Sequence, residues 1–338
     1  MKFNSDQQPL AGIFLMGEPW FDTVYPAAVR AQIARQMTLT SPLLTARTFA
    51  ATLPRLRGTE IIFGGWDMPP ITPEVLDALP RLQAVFYAGG SVRQLVCESF
   101  WQREITLSSA LHANAVPVAE YTLAAIFFCL KDLFRLERTL RTARTWPERP
   151  SVAGAYKSTI GLVSMGMTAR ILRERLLAFD LNIITYDPFL DPSEAERLNV
   201  SCVSLEELFT QADIVSLHTP WLDETEGMIQ GAHFAMMKQG AAFINTARGA
   251  IIRENEMIAV LKQRPDLFAV LDVTYPEPPA ASSPLYTMPN VFMTPHMAGS
   301  WGRELTRLGV YMADEFERYV NGEPLLWRIT RDQMARMA

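Results

Sequence analysis

Apolar residues fall along the chain in short uninterrupted runs, separated by stretches of helical periodicity. The runs are Gly12–Met16, Glu60–Phe63, Leu82–Tyr87, Thr159–Val163, Asn182–Tyr186, Ile214–Leu217, Ala241–Asn245, Phe268–Val273 and Val291–Met293. Many lack the alternation of a half-exposed strand, so they read as strands covered by helices on both faces. Strand, helix, strand repeated this way predicts an α/β protein with parallel sheets. Asn114 is placed to cap a long helix with Pro117 in its first turn, running past Leu140 to stop near Trp146-Pro147. Arg135, Arg138, Arg141 and Arg144 lie near its end; they are open to an anion but read first as a solvated face at the negative end of the helix dipole. A second helix, about Gly302–Val320, stops at Asn321-Gly322 with Pro324 beyond.

Composition narrows the class. At 338 residues the chain has length for about two domains. Its 31 Lys and Arg against 36 Asp and Glu give a net charge of −5, without the clustered basic face of a nucleic-acid binder. Hydrophobic residues at 49% and charged residues at 20% fit a globular core. The three cysteines (Cys97, Cys129, Cys202) are widely spaced with no CxxC, so neither a disulfide framework nor a metal site is expected, and a reducing cytoplasm fits. Pro9–Met16 follows a single Lys2 and runs into Gly17-Glu18-Pro19, which reads as a first buried strand and not a signal peptide. Ala115–Leu130, broken by Pro117 and Glu120, reads as too short and interrupted to span a bilayer.

One turn carries a cofactor signature. After the Thr159–Val163 run, Ser164, Gly166 and Ala169 occupy the three positions of the dinucleotide fingerprint G-x-G-x-x-G/A. The middle glycine, whose missing side chain admits a pyrophosphate, is present; serine replaces the first. Asp187 stands at the end of the next strand, 187 − 166 = 21 residues on, where a carboxylate accepts ribose hydroxyls and repels a 2′-phosphate. Pro188-Phe189-Leu190 offers no arginine for such a phosphate, so the pattern selects NAD over NADP.

Three polar residues follow apolar strands of the same half: Arg248 in Asn-Thr-Ala-Arg-Gly, Glu277 in Tyr-Pro-Glu-Pro-Pro and His296 in Thr-Pro-His-Met-Ala-Gly. Loops at strand C-termini build α/β active sites. Singly, they also read as a surface cation, a solvated acid and a satisfied loop histidine. Together with Val118-Ala-Glu, Ser216-Leu-His-Thr-Pro, Leu271-Asp-Val and Pro276-Glu-Pro, however, these segments resemble the D-isomer-specific 2-hydroxyacid dehydrogenase family over nearly the whole chain.

The resemblance implies two doubly wound domains. Residues 113–302 would form a central Rossmann NAD-binding domain; residues 1–112 and 303–338 would form a discontinuous flavodoxin-like substrate domain. It implies an NAD-dependent oxidoreductase interconverting a small D-2-hydroxy acid and its 2-keto acid, of the glyoxylate, hydroxypyruvate or phosphoglycerate kind. Arg248 would grip the substrate carboxylate and carbonyl, and His296 would act as acid and base, oriented and kept in its charged form by Glu277. A formate dehydrogenase would carry glutamine in place of Glu277. The cofactor would meet Ser164, Met165, Gly166, Met167, Asp187, His218, Thr219, Pro220, Thr246, Ala247, Asp272, Ala298 and Gly299, with Asp272 on the nicotinamide carboxamide. Gly89, Gly90 and Ser91 would offer backbone N–H groups to substrate. A homodimer through the nucleotide domain is implied, using the long helix.

This chain departs from the family at Ser91, where glycine is usual, at Arg93, where aspartate is common, and at Ser109-Ala-Leu-His112. Arg93 and His112 are open to an extra anionic group such as a phosphate, or to an ordinary salt bridge and packing. Trp301 reads equally as a pocket wall or as packing, and His233 and the 16 methionines as structural. The length leaves no room for an appended regulatory domain. Two other readings compete. An NADH-sensing corepressor, similar to the C-terminal-binding proteins, would keep the same three residues, although no long disordered tail accompanies them here. A degenerate relative that binds no cofactor would rest on Ser164 and Ser91.

Overall fold

The computed structural model describes residues 9–146, 152–334 and 337; Lys2 and Pro147 lie outside them. The chain divides into two compact units, Met1–Ala115 with Ser300–Ala338, and Val116–Gly299. Each is wound around its own sheet.

The first unit holds β1 (Leu10–Leu15), β2 (Met37–Leu39), β3 (Ile61–Gly65), β4 (Ala84–Ala88), β5 (Thr106–Ser109) and, returning from the C-terminal segment, β13 (Arg328–Ile329). Their order is β13-β5-β4-β3-β1-β2, all parallel except β13 against β5. The parallel five form the 2-1-3-4-5 order of a flavodoxin-like sheet. Uninterrupted apolar sequence follows from the two cores it serves. Phe14, Phe63 and Phe86 face the helix Glu304–Val320 through Leu308, Met312 and Phe316, while Ile13, Leu15, Ile62 and Val85 fill the other side.

The second unit holds β6 (Thr159–Val163), β7 (Asn182–Tyr186), β8 (Ser201–Cys202), β9 (Ile214–Leu217), β10 (Ala242–Asn245), β11 (Phe268–Leu271) and β12 (Val291–Met293). The order β12-β11-β10-β9-β6-β7-β8 is wholly parallel and reverses between β6 and β9, the topological switch of a Rossmann sheet. Val163, Val215, Leu217, Phe243 and Leu271 share one buried cluster with Leu208, Phe209 and Met257.

Two expectations are corrected. The long helix is two: Leu111–Leu130, then Leu133–Ala143, broken at Asp132, whose φ of 52° is left-handed. The first starts before Asn114, because the Ser109 hydroxyl accepts the Leu111 N–H; the Asn114 carboxamide instead accepts the Ser300 N–H at 3.0 Å. Pro117 therefore sits inside the helix and not in its first turn. Nor is this apolar stretch too short. At 20 residues the helix is long and apolar enough to cross a membrane by length and composition, yet Ala119, Ala125, Ile126 and Leu130 are buried within the protein. Four strands (β2, β5, β8 and β13) were not anticipated from the pattern. The C-terminal helix begins at Glu304 and ends as expected at Val320, with Gly322 in the left-handed region.

Candidate active site

All strands of the second sheet run the same way, so the loops leaving β6, β7, β9, β10, β11 and β12 gather along one edge. Ser164 leaves β6 with φ of 73°, a conformation that favours glycine. Its hydroxyl lies 2.9 Å from the Thr219 hydroxyl across the switch point, and its N–H donates to the Tyr186 carbonyl at 2.7 Å. These contacts hold a side chain where the fingerprint usually has none. Gly166 then opens the helix Met167–Leu176, which has no side-chain cap, and a Cβ added at Gly166 would point into open space. Uncapped N–H groups below an open turn fit a pyrophosphate. Asp187, at the end of β7, accepts the Met165 N–H and the Phe189 N–H at 2.8 Å each, which places its carboxylate beside the turn. Arg170, on the same helix, is held by both carboxylate oxygens of Glu194.

His218 follows β9, with Nε2 2.9 Å from the Ser216 hydroxyl. Burial pushes its pKa down to about 4, so the ring is neutral at physiological pH. Thr219 is buried and Pro220 half-buried.

Arg248 follows β10 in a loop clamped by buried Asn245, whose Oδ1 accepts the Ala247 N–H and whose Nδ2 donates to the Arg248 carbonyl. Its guanidinium donates to the Ala247 carbonyl at 2.6 Å. Burial disfavours the charge of Arg248, and the Glu277 carboxylate offsets part of that cost. Gly249 explains how the two loops come together. A Cβ there would run into the backbone of Thr274, so only glycine lets the Arg248 loop lie against the segment leading to Glu277. In that segment the bonds preceding Pro276 and Pro278 are cis.

Glu277 Oε1 stands 2.6 Å from His296 Nδ1, joining the loops after β11 and β12. Both side chains are partly exposed. His296 adopts φ of 50°, and Asp272 moulds the turn around it. The Asp272 backbone carbonyl accepts the His296 N–H at 2.9 Å; its carboxylate accepts the Thr294 hydroxyl at 2.6 Å and the Met297 and Ala298 N–H groups at 2.8 and 2.9 Å. Two residues unmarked by sequence reasoning extend the support. The Tyr121 hydroxyl meets that of Thr294 at 2.8 Å, and the Thr122 hydroxyl meets that of Thr246 at 3.1 Å. Only their place on the first turns after Val118-Ala-Glu hinted at them.

The structure thus brings Arg248, Glu277 and His296 together on the sheet edge that also carries the turn of Ser164, Met165, Gly166 and Met167. In the first unit, Gly89, Gly90 and Ser91 follow β4, and the Ser109 hydroxyl lies 3.0 and 2.8 Å from the carbonyls of Gly89 and Gly90. His112 packs, with its ring stacked on Trp327 at 4.4 Å. His233 is a satisfied structural histidine, its Nδ1 accepting the Gln230 N–H. Trp301 is not core, being 53% exposed.

A Rossmann sheet with an open glycine turn and a His–Glu pair beside an arginine defines a dinucleotide-dependent class of protein. Residues 123–298, more than half of the chain, match the D-isomer specific 2-hydroxyacid dehydrogenase, NAD binding domain. The chain belongs to that family. It is 27% identical over 256 residues to D-3-phosphoglycerate dehydrogenase of Archaeoglobus fulgidus, and 29% over 255 to that of Mycobacterium tuberculosis; each alignment covers 75% of this chain and 48% of the relative. The chain therefore spans about half the length of these relatives. Among solved structures it is similar in fold to a phosphoglycerate oxidoreductase from Rhizobium etli (TM-score 0.81, 22% identity, 96% of this chain and 99% of that one). It is similar also to Rhodotorula graminis D-mandelate dehydrogenase (TM-score 0.80, 23% identity, 96% and 98%).

Proposed function

We propose that the protein is an NAD-dependent oxidoreductase that interconverts a small D-2-hydroxy acid and its 2-keto acid. The observation that carries this reading is the 2.6 Å pair of His296 Nδ1 and Glu277 Oε1 beside Arg248, on the strand-end edge that holds the dinucleotide turn. With Nδ1 committed to Glu277, Nε2 is the atom left to take the substrate hydroxyl proton in oxidation and to return it in reduction. Arg248 presents a planar fork of donors to the carboxylate and the neighbouring oxygen, and burial strengthens that grip. NAD, when bound, supplies the nicotinamide that accepts or gives the hydride. Its pyrophosphate would be held over Gly166 by the Met167 N–H, with Ser164 and Met165 shaping the turn, its ribose by Asp187, and its remaining length by His218, Thr219, Pro220, Thr246, Ala247, Ala298 and Gly299. The occupation of Arg170 by Glu194 supports NAD over NADP. Asp272 is assigned two parts, the nicotinamide carboxamide and the shape of the His296 turn.

Residues 113–302 serve as the nucleotide domain and the rest as the substrate domain, with Gly89, Gly90 and Ser91 offering backbone donors. A homodimer is supported by the helix Leu133–Ala143, which buries none of its residues and exposes Leu133 and Leu140. The free cysteines support a cytoplasmic setting. NADH oxidation across glyoxylate, hydroxypyruvate, 3-phosphohydroxypyruvate and phenylglyoxylate tests the reading. Turnover of at least one is expected; tight NADH binding without turnover of any 2-keto acid would replace it with a sensor.

A further inference from the structure

At the opposite end of the second sheet, where its strands begin, the helix Met167–Leu176 ends beside the start of β7 and the edge strand β8. They enclose an open cleft of about 470 Å³. At its base lies Arg173, only 4% exposed. Its Nη2 donates to the Asn199 carbonyl at 3.0 Å, and its Nε is buried with no hydrogen-bond partner among the described residues. No carboxylate lines the cleft, and Arg173 has no ion pair among the described residues. Burial disfavours its charge, with no neighbouring acid to compensate. A guanidinium so placed is costly unless something anionic meets it.

The rest of the lining says what kind of anion. Six apolar residues between Leu176 and Ile184 share the lining with Thr159, Asn182, Ser201 and Gln211, which supply hydroxyl and amide groups beside Arg173. With one cation and no acid, the lining favours an anion over a zwitterion, and the volume suits a small molecule. We propose that this cleft binds a small hydroxylated organic anion, with its carboxylate or phosphate on Arg173 and its hydroxyls on those four side chains. The site is separate from the His296 edge and does not rest on the proposed reaction.

Titration calorimetry of the full chain with NADH present, to fill the dinucleotide turn, tests this. The probes are glycerol 3-phosphate, D-3-hydroxybutyrate, inorganic phosphate and neutral glycerol, none of them a 2-hydroxy acid. Binding of glycerol 3-phosphate or hydroxybutyrate is expected, and the tighter of the two tells phosphate from carboxylate. Arg173→Gln should weaken it at least tenfold. Ser201→Asp, at an exposed position that leaves the fold intact, should do the same by placing a carboxylate opposite Arg173. Absence of binding by both organic anions, or equal affinity in wild type and Ser201→Asp, would overturn the proposal. So would inorganic phosphate binding as tightly as glycerol 3-phosphate.

Discussion

The two units are wound alike but use their carboxylates differently. In the first, Glu315 is 1% exposed, and its oxygens accept the Ser108 hydroxyl and the N–H groups of Leu326 and Trp327, all at 2.8–2.9 Å. Every contact ties chain to chain, fastening the C-terminal return to β5. In the second, Glu277 is partly exposed, and its contact is the ring of His296. Asp272 stands between these cases, buried like Glu315 but organising the loop that carries His296. On the proposed function, what separates the structural acid from the chemical one is whether its partners are fixed donors of the fold or a second titratable group in reach of solvent.

Four substitutions sharpen that contrast. Glu315→Ala orphans the buried Ser108 hydroxyl and two part-buried N–H donors at about 1–3 kcal/mol each, so chemical denaturation should show about 4 kcal/mol lost, with turnover per folded molecule retained. Loss of turnover without loss of stability would erase the distinction. Gly249→Ala should cost about 3 kcal/mol, because the new methyl meets main chain that cannot yield. Here activity should fall further than stability, since the Arg248 and Glu277 loops separate. Glu277→Gln is expected to leave the melting temperature nearly unchanged and to lower kcat about 100-fold; a kcat within twofold of wild type would class Glu277 with the structural acids.

The smallest effect concerns pH. His218 is half-buried, and desolvation holds its pKa at about 4 against the ordinary 6.5, so the unfolded chain binds its proton first as pH falls. Stability should be full above pH 6.5 and decline below it, by about 2 kcal/mol from this ring at about pH 5. His218→Asn should flatten that slope only in part, because burial pushes His112 and His233 down as well. An unchanged slope would show that His218 is accessible in the fold.

Much of this was legible in the sequence, for physical reasons that also explain the rest. β6, β7 and β9 coincide with their apolar runs because a parallel strand covered on both faces leaves no room for polar alternation, and the edge strand β12 coincides with its run although Phe292 is exposed. β5 escaped notice because Thr106-Leu-Ser-Ser reads as a loop; its hydroxyls are satisfied by Glu315, 207 residues away, and by the Gly89 and Gly90 carbonyls. β8 and β13 are two residues each, too short for any periodicity. The break at Asp132 was hidden because Leu133–Ala143 continues the helical pattern, while Arg135 reaches back to the Asp132 carboxylate. In the site, strand-end positions singled out Arg248, Glu277 and His296, and the family resemblance supplied the roles expected of them. The role of Gly249 was not visible, since a close approach of Thr274 depends on two distant segments meeting.

On the proposed function His296 carries the proton while the nucleotide turn holds the cofactor independently of it. NADH fluorescence titration and keto-acid turnover of His296→Ala test both halves on one variant. Unchanged NADH affinity is expected, with turnover reduced about 1,000-fold. Turnover near that of the wild type would contradict it.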